Sequence, residues 1–292
     1  MGIKIKAFAK INFTLDVVGQ RDDGYHLIQS VMQQISLCDN LFLEPANGIH
    51  IRCDHRYLSL SPRNTIYTAA QLFFEAAGWP DAGVSFSLKK SIPFSSGLGG
   101  GSADAAAALI GLNRLFHTGF STARLCELGA KIGADVPFCV VGGAALAEGT
   151  GERITPCSPL REGFLVLVKS GRKKSTRHMY ALLDESGYTP GTASTQALAA
   201  LEHGDLPALG ALEHGDLPAL GASLHNVFEP LWQDSEIPAI RAKMLAFGAV
   251  GASLSGSGPT YFGLFEHEEQ ARQCTTALKG EYPEVYLCRP VG

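Results

Sequence analysis

Residues 92–104 read Ile-Pro-Phe-Ser-Ser-Gly-Leu-Gly-Gly-Gly-Ser-Ala-Asp and pass directly into Ala105-Ala106-Ala107-Ala108-Leu109-Ile110. Glycines remove side chains from a loop and tolerate positive φ, so backbone N–H groups can converge on one point. The alanine-rich segment that follows favours helix, whose first turn adds unpaired N–H groups and about half a positive charge. Such a cradle suits an anion, most often phosphate. A flexible linker would not be joined to a helix start behind the apolar pair Ile92-Pro93. The run is not a Walker A loop, because no Gly-Lys-Ser/Thr closes it. It is also a poor dinucleotide fingerprint, since Ser102 stands where the third glycine belongs.

Three further groups carry polar chemistry in an otherwise apolar setting. Lys10 and Asn12 sit in Ala9-Lys10-Ile11-Asn12, on an alternating segment. A lysine there either snorkels from a strand edge or serves a site. Asp135 lies in Gly-Ala-Asp-Val-Pro-Phe. Its surroundings suit a helix cap and a general base equally well. Tyr25 and His26 follow the turn signal Asp23-Gly24, where a flat ring and a ring nitrogen can rim a fold or hold a base. A second glycine loop spans 251–260, with Ser255-Gly256-Ser257-Gly258 before Pro259-Thr260.

The elements that must position these groups follow from periodicity. Residues 3–18 and 27–45 alternate as strands, and 83–88 forms a strand feeding the first glycine loop. Asn64 is placed to cap a helix over 64–77. Helices are expected at 102–116, opened and capped by Ser102, and at 121–132, with a strand over Cys139–Glu148. A composition shift at 155–163 marks a boundary between domains 1–158 and 159–292. Beyond it come a strand at 164–168, helices at 176–183, 236–247 and 268–278, and strands at 261–265 and 284–288, a small α+β lobe.

The 292 residues are 46% hydrophobic, enough for a large core. A net charge of −4 disfavours nucleic acid as a partner. No apolar run approaches the ~18 residues of a membrane span, and the N-terminus lacks a signal-peptide core, so a cytoplasmic protein is expected. The seven dispersed cysteines contain no CxxC pair, which fits reduced thiols, and no metal-ligand spacing occurs among cysteines and histidines.

Taken in order, Ala-Lys-Ile-Asn, Arg-x-Asp-Gly-Tyr-His, the Pro-x3-Gly-Leu-Gly-Gly-Gly-Ser loop, Gly-Ala-Asp-Val-Pro-Phe and Gly-Ser-Gly-Pro-Thr resemble the GHMP-type small-molecule kinases over nearly the whole chain. Asp-Gly-Tyr-His with Ala-Lys-Ile-Asn resembles the branch that phosphorylates the 2-hydroxyl of a cytidine diphosphate-linked polyol in non-mevalonate isoprenoid synthesis. The resemblance implies a two-lobed α+β fold, with a ribosomal-S5-like α/β N-terminal lobe and a smaller ferredoxin-like C-terminal lobe. It implies ATP as co-substrate, with Mg2+ carried with the nucleotide. ATP would be bound by Pro93, Phe94, Ser95, Ser96, Gly97, Leu98, Gly99, Gly100, Gly101, Ser102 and Ala103. Asp135 would be the catalytic base, with Lys10 beside it keeping it ionised and orienting the acceptor hydroxyl. Asn12, Tyr25, His26, Tyr180, Ser257 and Gly258 would hold the substrate, the two tyrosines and His26 at the cytosine. Asn226 and Glu229 would be structural. The working form would be a monomer or weak homodimer, with no nucleic-acid or membrane partner.

Two features depart from that pattern. Where the family has Pro-Gly, this chain has the basic run Lys169-Ser-Gly-Arg-Lys-Lys174, a solvated face or a lure for a polyanion. Ala200–Gly210 is repeated identically as Ala211–Gly221, which reads as a tandem duplication in a surface helix–turn segment.

Overall fold

The computed structural model describes residues 2–55, 63–172, 174–188, 217–232 and 236–292. They divide into two compact units. The first comprises residues 1–9, 37–94 and 99–142, and the second 10–36, 95–98 and 143–292. The basic run is described except for Lys173, whereas most of the duplication, 200–216, lies outside the described residues.

In the first unit, β3 (His26–Pro45) contributes its later half, pairing antiparallel with β5 (Val84–Lys89) through Asn40↔Lys89 to Pro45↔Val84. A parallel strand, β4 (Ile49–Cys53), flanks β5. β4 was not anticipated, although Ile49, Ile51 and Cys53 alternate. Helix α1 (Thr65–Ala76) starts as expected, with Asn64 Oδ1 accepting the Ile66 N–H at 2.9 Å. Its Ile66, Ala69, Ala70, Phe73 and Phe74 are buried, and it packs on α2 (Gly100–Leu115). The small side chains of Ala105–Ala108 are all buried in α2. Helices α3 (Thr122–Ala130) and α4 (Val136–Val141) complete the layer.

Two expectations fail in this unit. Ser102 does not open or cap α2, which begins at Gly100 behind Gly99 and has no side-chain cap. Gly99 holds φ +70, a left-handed conformation that costs glycine little and lets the helix start two residues early. Cys139–Val141 is helical rather than strand. Pro137 stands in the first turn of α4, where its missing N–H costs nothing, and burial of Val136, Phe138 and Val140 outweighs the strand preference of valine. The strand proper, β6, covers Ala144–Gly149.

In the second unit, the first half of β3 pairs with β2 (Thr14–Gln20) and with β6, β6 pairs with β7 (Arg153–Cys157), and the two-residue β9 (His225–Asn226) pairs parallel with β2. A separate antiparallel sheet runs β10 (Gly251–Leu254), β11 (Thr260–Phe265), β8 (Phe164–Lys169), β12 (Val285–Cys288). The first four residues of the expected 251–260 loop are thus the strand β10. The short α6 (Leu217–Ser223), α7 (Ile237–Ala246) and α8 (Glu268–Lys279) flank this sheet, and α5 (Thr176–Ser186) packs on the 3-10 turn Glu229–Trp232. The core gathers Val166, Val168, Met179, Leu183, Phe228, Leu254, Tyr261 and Leu278 with Leu15, Val17 and Ile28. Burying these side chains contributes about 1.5–3 kcal/mol each, before entropy is set against it. All seven cysteines are free thiols. Among the described residues no helix is long and apolar enough to cross a membrane.

Candidate active site

Within the first unit, the exposed or half-buried residues Gly99–Ser102 carry the first-turn N–H groups of α2, which have no acceptor inside the helix. The loop that delivers them is held from below by buried charges. Lys90 Nζ donates to Asp104 Oδ2 at 2.7 Å and also pairs with Asp39. Asp39 Oδ1 accepts the N–H groups of Ser91 (2.5 Å) and Ile92 (2.9 Å). Asp104 Oδ1 has no partner among the described residues. Desolvation pushes the Asp104 carboxyl up to about 7, against the pull of Lys90. No local pattern marks this cluster, because its members lie 51 and 14 positions apart. Asp135 occupies the residue before α4, half-buried. Two residues earlier, a Cβ on Gly133 would stand 4.0 Å from Ser102 Oγ, so this segment runs beside the first turn of α2.

Within the second unit, Lys10 and Asn12 are buried at the end of β1 (Ile3–Asn12). Lys10 Nζ donates to Asn12 Oδ1 at 2.8 Å, and Gly256 N–H donates to the same oxygen at 2.9 Å. Asn12 Nδ2 donates to Ser30 Oγ at 2.7 Å, and Ser30 Oγ donates to the Thr14 carbonyl at 2.6 Å. The two glycine-loop segments are sewn together. Ser255 Oγ donates to Gly97 O (3.1 Å), Thr260 N–H to Ser96 O (3.2 Å) and Lys10 N–H to Leu98 O (3.0 Å). Gly97 is required here, since a Cβ would lie 2.3 Å from the Ser255 carbonyl oxygen at φ +85. Ser95 holds φ 49, a conformation serine adopts at a cost. Asn226 Nδ2 donates to Leu254 O and Gly256 O, and Glu229 accepts from Tyr261 Oη at 2.7 Å. Both act as struts for the second glycine loop and its sheet.

A third cluster forms around the β2–β3 turn. Gly24 N–H donates to Arg21 O, Arg21 N–H to Tyr25 O, and Tyr25 N–H to Asp23 Oδ1. The turn leaves Tyr25 64% exposed while His26 is buried. Tyr180 from α5 stacks on His26 with centroids 4.5 Å apart and an interplanar angle of 16°. Asp184, one helical turn further along α5, meets His26 Nε2 at 2.7 Å. Asp184 was not among the expected site residues; its i+4 spacing from Tyr180 was the available signal. At the start of the same helix, Thr176 Oγ1 lies 3.3 Å from Ser257 Oγ. Helix α5 therefore touches both the His26 turn and the Gly-Ser-Gly loop. His26 and Tyr180 stack on one another, while Tyr25, next to His26 in the chain, is exposed at the turn. Lys10, Asn12 and the 255–258 loop form a second group in this unit, and Asp135 and Gly99–Ala103 lie in the first.

The first unit carries a glycine cradle at a helix start, and the second a buried lysine tied to a glycine loop and a His–Tyr stack, groups of the kinds that phosphoryl transfer uses. The model of the GHMP kinases N terminal domain matches residues 64–143, and that of the GHMP kinases C terminal domain matches residues 197–284. The protein is thus a small-molecule kinase of the GHMP class. Within that class, a 4-diphosphocytidyl-2-C-methyl-D-erythritol kinase of Pelotomaculum thermopropionicum is 43% identical over 99% of this chain and 98% of its own length. A protein of the same name from Clostridium novyi is 40% identical over 98% and 99%. A crystal structure of 4-(cytidine 5'-diphospho)-2C-methyl-D-erythritol kinase superposes with TM-score 0.82 at 33% identity, covering 99% of this chain and all of that one. A homoserine kinase from Cytophaga hutchinsonii shares the fold alone, with TM-score 0.77 at 19% identity over 99% and 95%. The chain belongs to the 4-diphosphocytidyl-2-C-methyl-D-erythritol kinase family.

Proposed function

We propose that this protein transfers the γ-phosphoryl group of ATP to the 2-hydroxyl of 4-diphosphocytidyl-2-C-methyl-D-erythritol. The observation that carries the reading is end-to-end similarity at 36–43% identity to kinases of that name, against 14–19% for the homoserine and mevalonate kinases of the same fold. In the reaction, the acceptor oxygen attacks Pγ, the bond from Pγ to the bridging oxygen breaks, and ADP leaves. Asp135 takes the hydroxyl proton, and Lys10 orients the acceptor oxygen. Residues 93–103 hold ATP, with Mg2+ arriving on the nucleotide as part of the co-substrate. Positioning and charge neutralisation supply most of the rate, as is general for phosphoryl transfer.

Tyr25, His26 and Tyr180 hold the cytosine. Asn12, Ser257 and Gly258 lie along the diphosphate and acceptor. The stacked rings in the second unit support this reading, since a base needs a flat apolar face and an edge of hydrogen-bonding groups. The enzyme acts in the cytoplasm as a monomer or weak homodimer, with domains 1–158 and 159–292. The test is ATP consumption with 4-diphosphocytidyl-2-C-methyl-D-erythritol, homoserine or mevalonate as acceptor. Turnover confined to the first supports the proposal, and turnover of either other alcohol at an equal or greater rate overturns it.

A further inference from the structure

We propose that Asp184 is a specificity-positioning residue: it locks the His26 imidazole in the tautomer that reads a 4-aminopyrimidine and rejects a 4-oxopyrimidine. The inference rests on the assignment of His26 to the base subsite and goes beyond it to the residue that sets what His26 can read. His26 Nε2 lies 2.7 Å from Asp184 Oδ1. An ionised carboxylate can only accept, so Nε2 carries the proton. In the neutral ring Nδ1 is then an acceptor, because the hydrogen bond made by one nitrogen dictates the state of the other. No described residue hydrogen-bonds to Nδ1, so that edge is available to a ligand.

The ring is held in place as well as in tautomer. Its side chain is 6% exposed, Tyr180 stacks on it at 4.5 Å, and Tyr188 lies tilted at 6.2 Å. Tyr180 and Asp184 come from the same face of α5, whose Met179 and Leu183 are anchored in the core. The helix therefore presents stack and acceptor as one rigid piece. A base meeting the imidazole edge-on is coplanar with it and also parallel to the Tyr180 ring. An Nδ1 acceptor pairs with the exocyclic amino group of cytosine. It faces the carbonyl oxygen of uracil lone pair to lone pair, a contact that leaves both groups desolvated and unpaired. Without Asp184 the imidazole is free to move its proton to Nδ1 and accept uracil.

The test compares the full-length wild type with Asp184→Ala, Asp184→Asn and His26→Ala. Each is assayed with the cytidyl substrate and its uridyl counterpart, and the His26 ring nitrogens are followed by 15N NMR, assigned by their loss in His26→Ala. In the wild type Nε2 should be protonated and Nδ1 bare; the opposite tautomer overturns the proposal without any variant. In Asp184→Ala the cytidyl-to-uridyl ratio of kcat/KM should fall about tenfold or more, the effect of one hydrogen bond made or mismatched. Asp184→Asn retains an acceptor oxygen and should keep most of the discrimination. A carboxylate that served packing alone would alter stability and leave the base preference unmoved, so an unchanged ratio in a folded Asp184→Ala refutes the role. If His26→Ala leaves the cytidyl KM unaltered, the base subsite itself is misassigned. If His26→Ala raises that KM while the Asp184→Ala ratio holds, only the role of Asp184 falls.

Discussion

Asn12 offers the sharpest energetic test, because its buried amide ties together a lysine, a glycine loop and a strand. Asn12→Ala removes three hydrogen bonds: from Lys10 Nζ at 2.8 Å, from Gly256 N–H at 2.9 Å, and to Ser30 Oγ at 2.7 Å. A charge-assisted bond contributes about 1.5–3 kcal/mol and each neutral one about 1 kcal/mol, a simple sum of about 3.5–5 kcal/mol. The three share one side chain and are not additive, and water entering the vacated space recovers part of the loss, so about 3 kcal/mol is the working figure. For a chain of this size that lowers Tm by about 6–12 °C. The same change releases the tether on Lys10, so kcat should fall by about tenfold or more even well below the melting point. Thermal melts followed by circular dichroism, and initial rates at a temperature where the variant is folded, measure the two effects separately. A variant that melts within about 1 °C of wild type and turns over normally would refute the reasoning, since buried partners cannot lose those bonds without cost.

Tyr25→Ala should raise KM for the cytidyl substrate and leave that for ATP unchanged; a raised ATP KM would put Tyr25 in the other pocket. Asp104 has its carboxyl pushed up to about 7 by burial, from an ordinary value of 3.8. The folded state therefore holds a proton that the unfolded chain has already lost, and stability should decline as pH rises from about 4 to about 7. Asp104→Asn should flatten that part of the Tm–pH curve, and an identical slope would contradict the assignment. Deleting 211–221 leaves Leu206-Pro207-Ala208-Leu209-Gly210 in front of Ala222, an identical replacement for the buried Leu217, Leu220 and Gly221 of α6. Folding and turnover should stay near wild type, and loss of either would show that the extra eleven residues have a structural duty.

What could be read beforehand depended on how local the cause was. The alternation that makes β2, β3 and β8, and the Asn64 cap of α1, are written in neighbouring residues. Cys139–Val141 has strand-forming composition, yet packing against other helices makes it the end of α4. Helix α2 starts two residues before Ser102 because left-handed Gly99 takes the place expected of a serine cap. Lys10 and Asn12 stood out as polar residues on an apolar strand, but Gly256, the other donor to Asn12, is 244 positions away. Asp184, the Lys90–Asp39–Asp104 cluster and the Ser255–Gly97 bond are likewise products of tertiary contact that no window along the chain contains.

Asp135 is the group proposed to accept the hydroxyl proton. The most direct measurement is kcat of Asp135→Asn with saturating ATP and 4-diphosphocytidyl-2-C-methyl-D-erythritol, on protein shown by its melt to be folded. Loss of a general base should lower kcat by about 10²-fold or more while both KM values stay near wild type. A folded Asp135→Asn enzyme that turns over at the wild-type rate would contradict the mechanism.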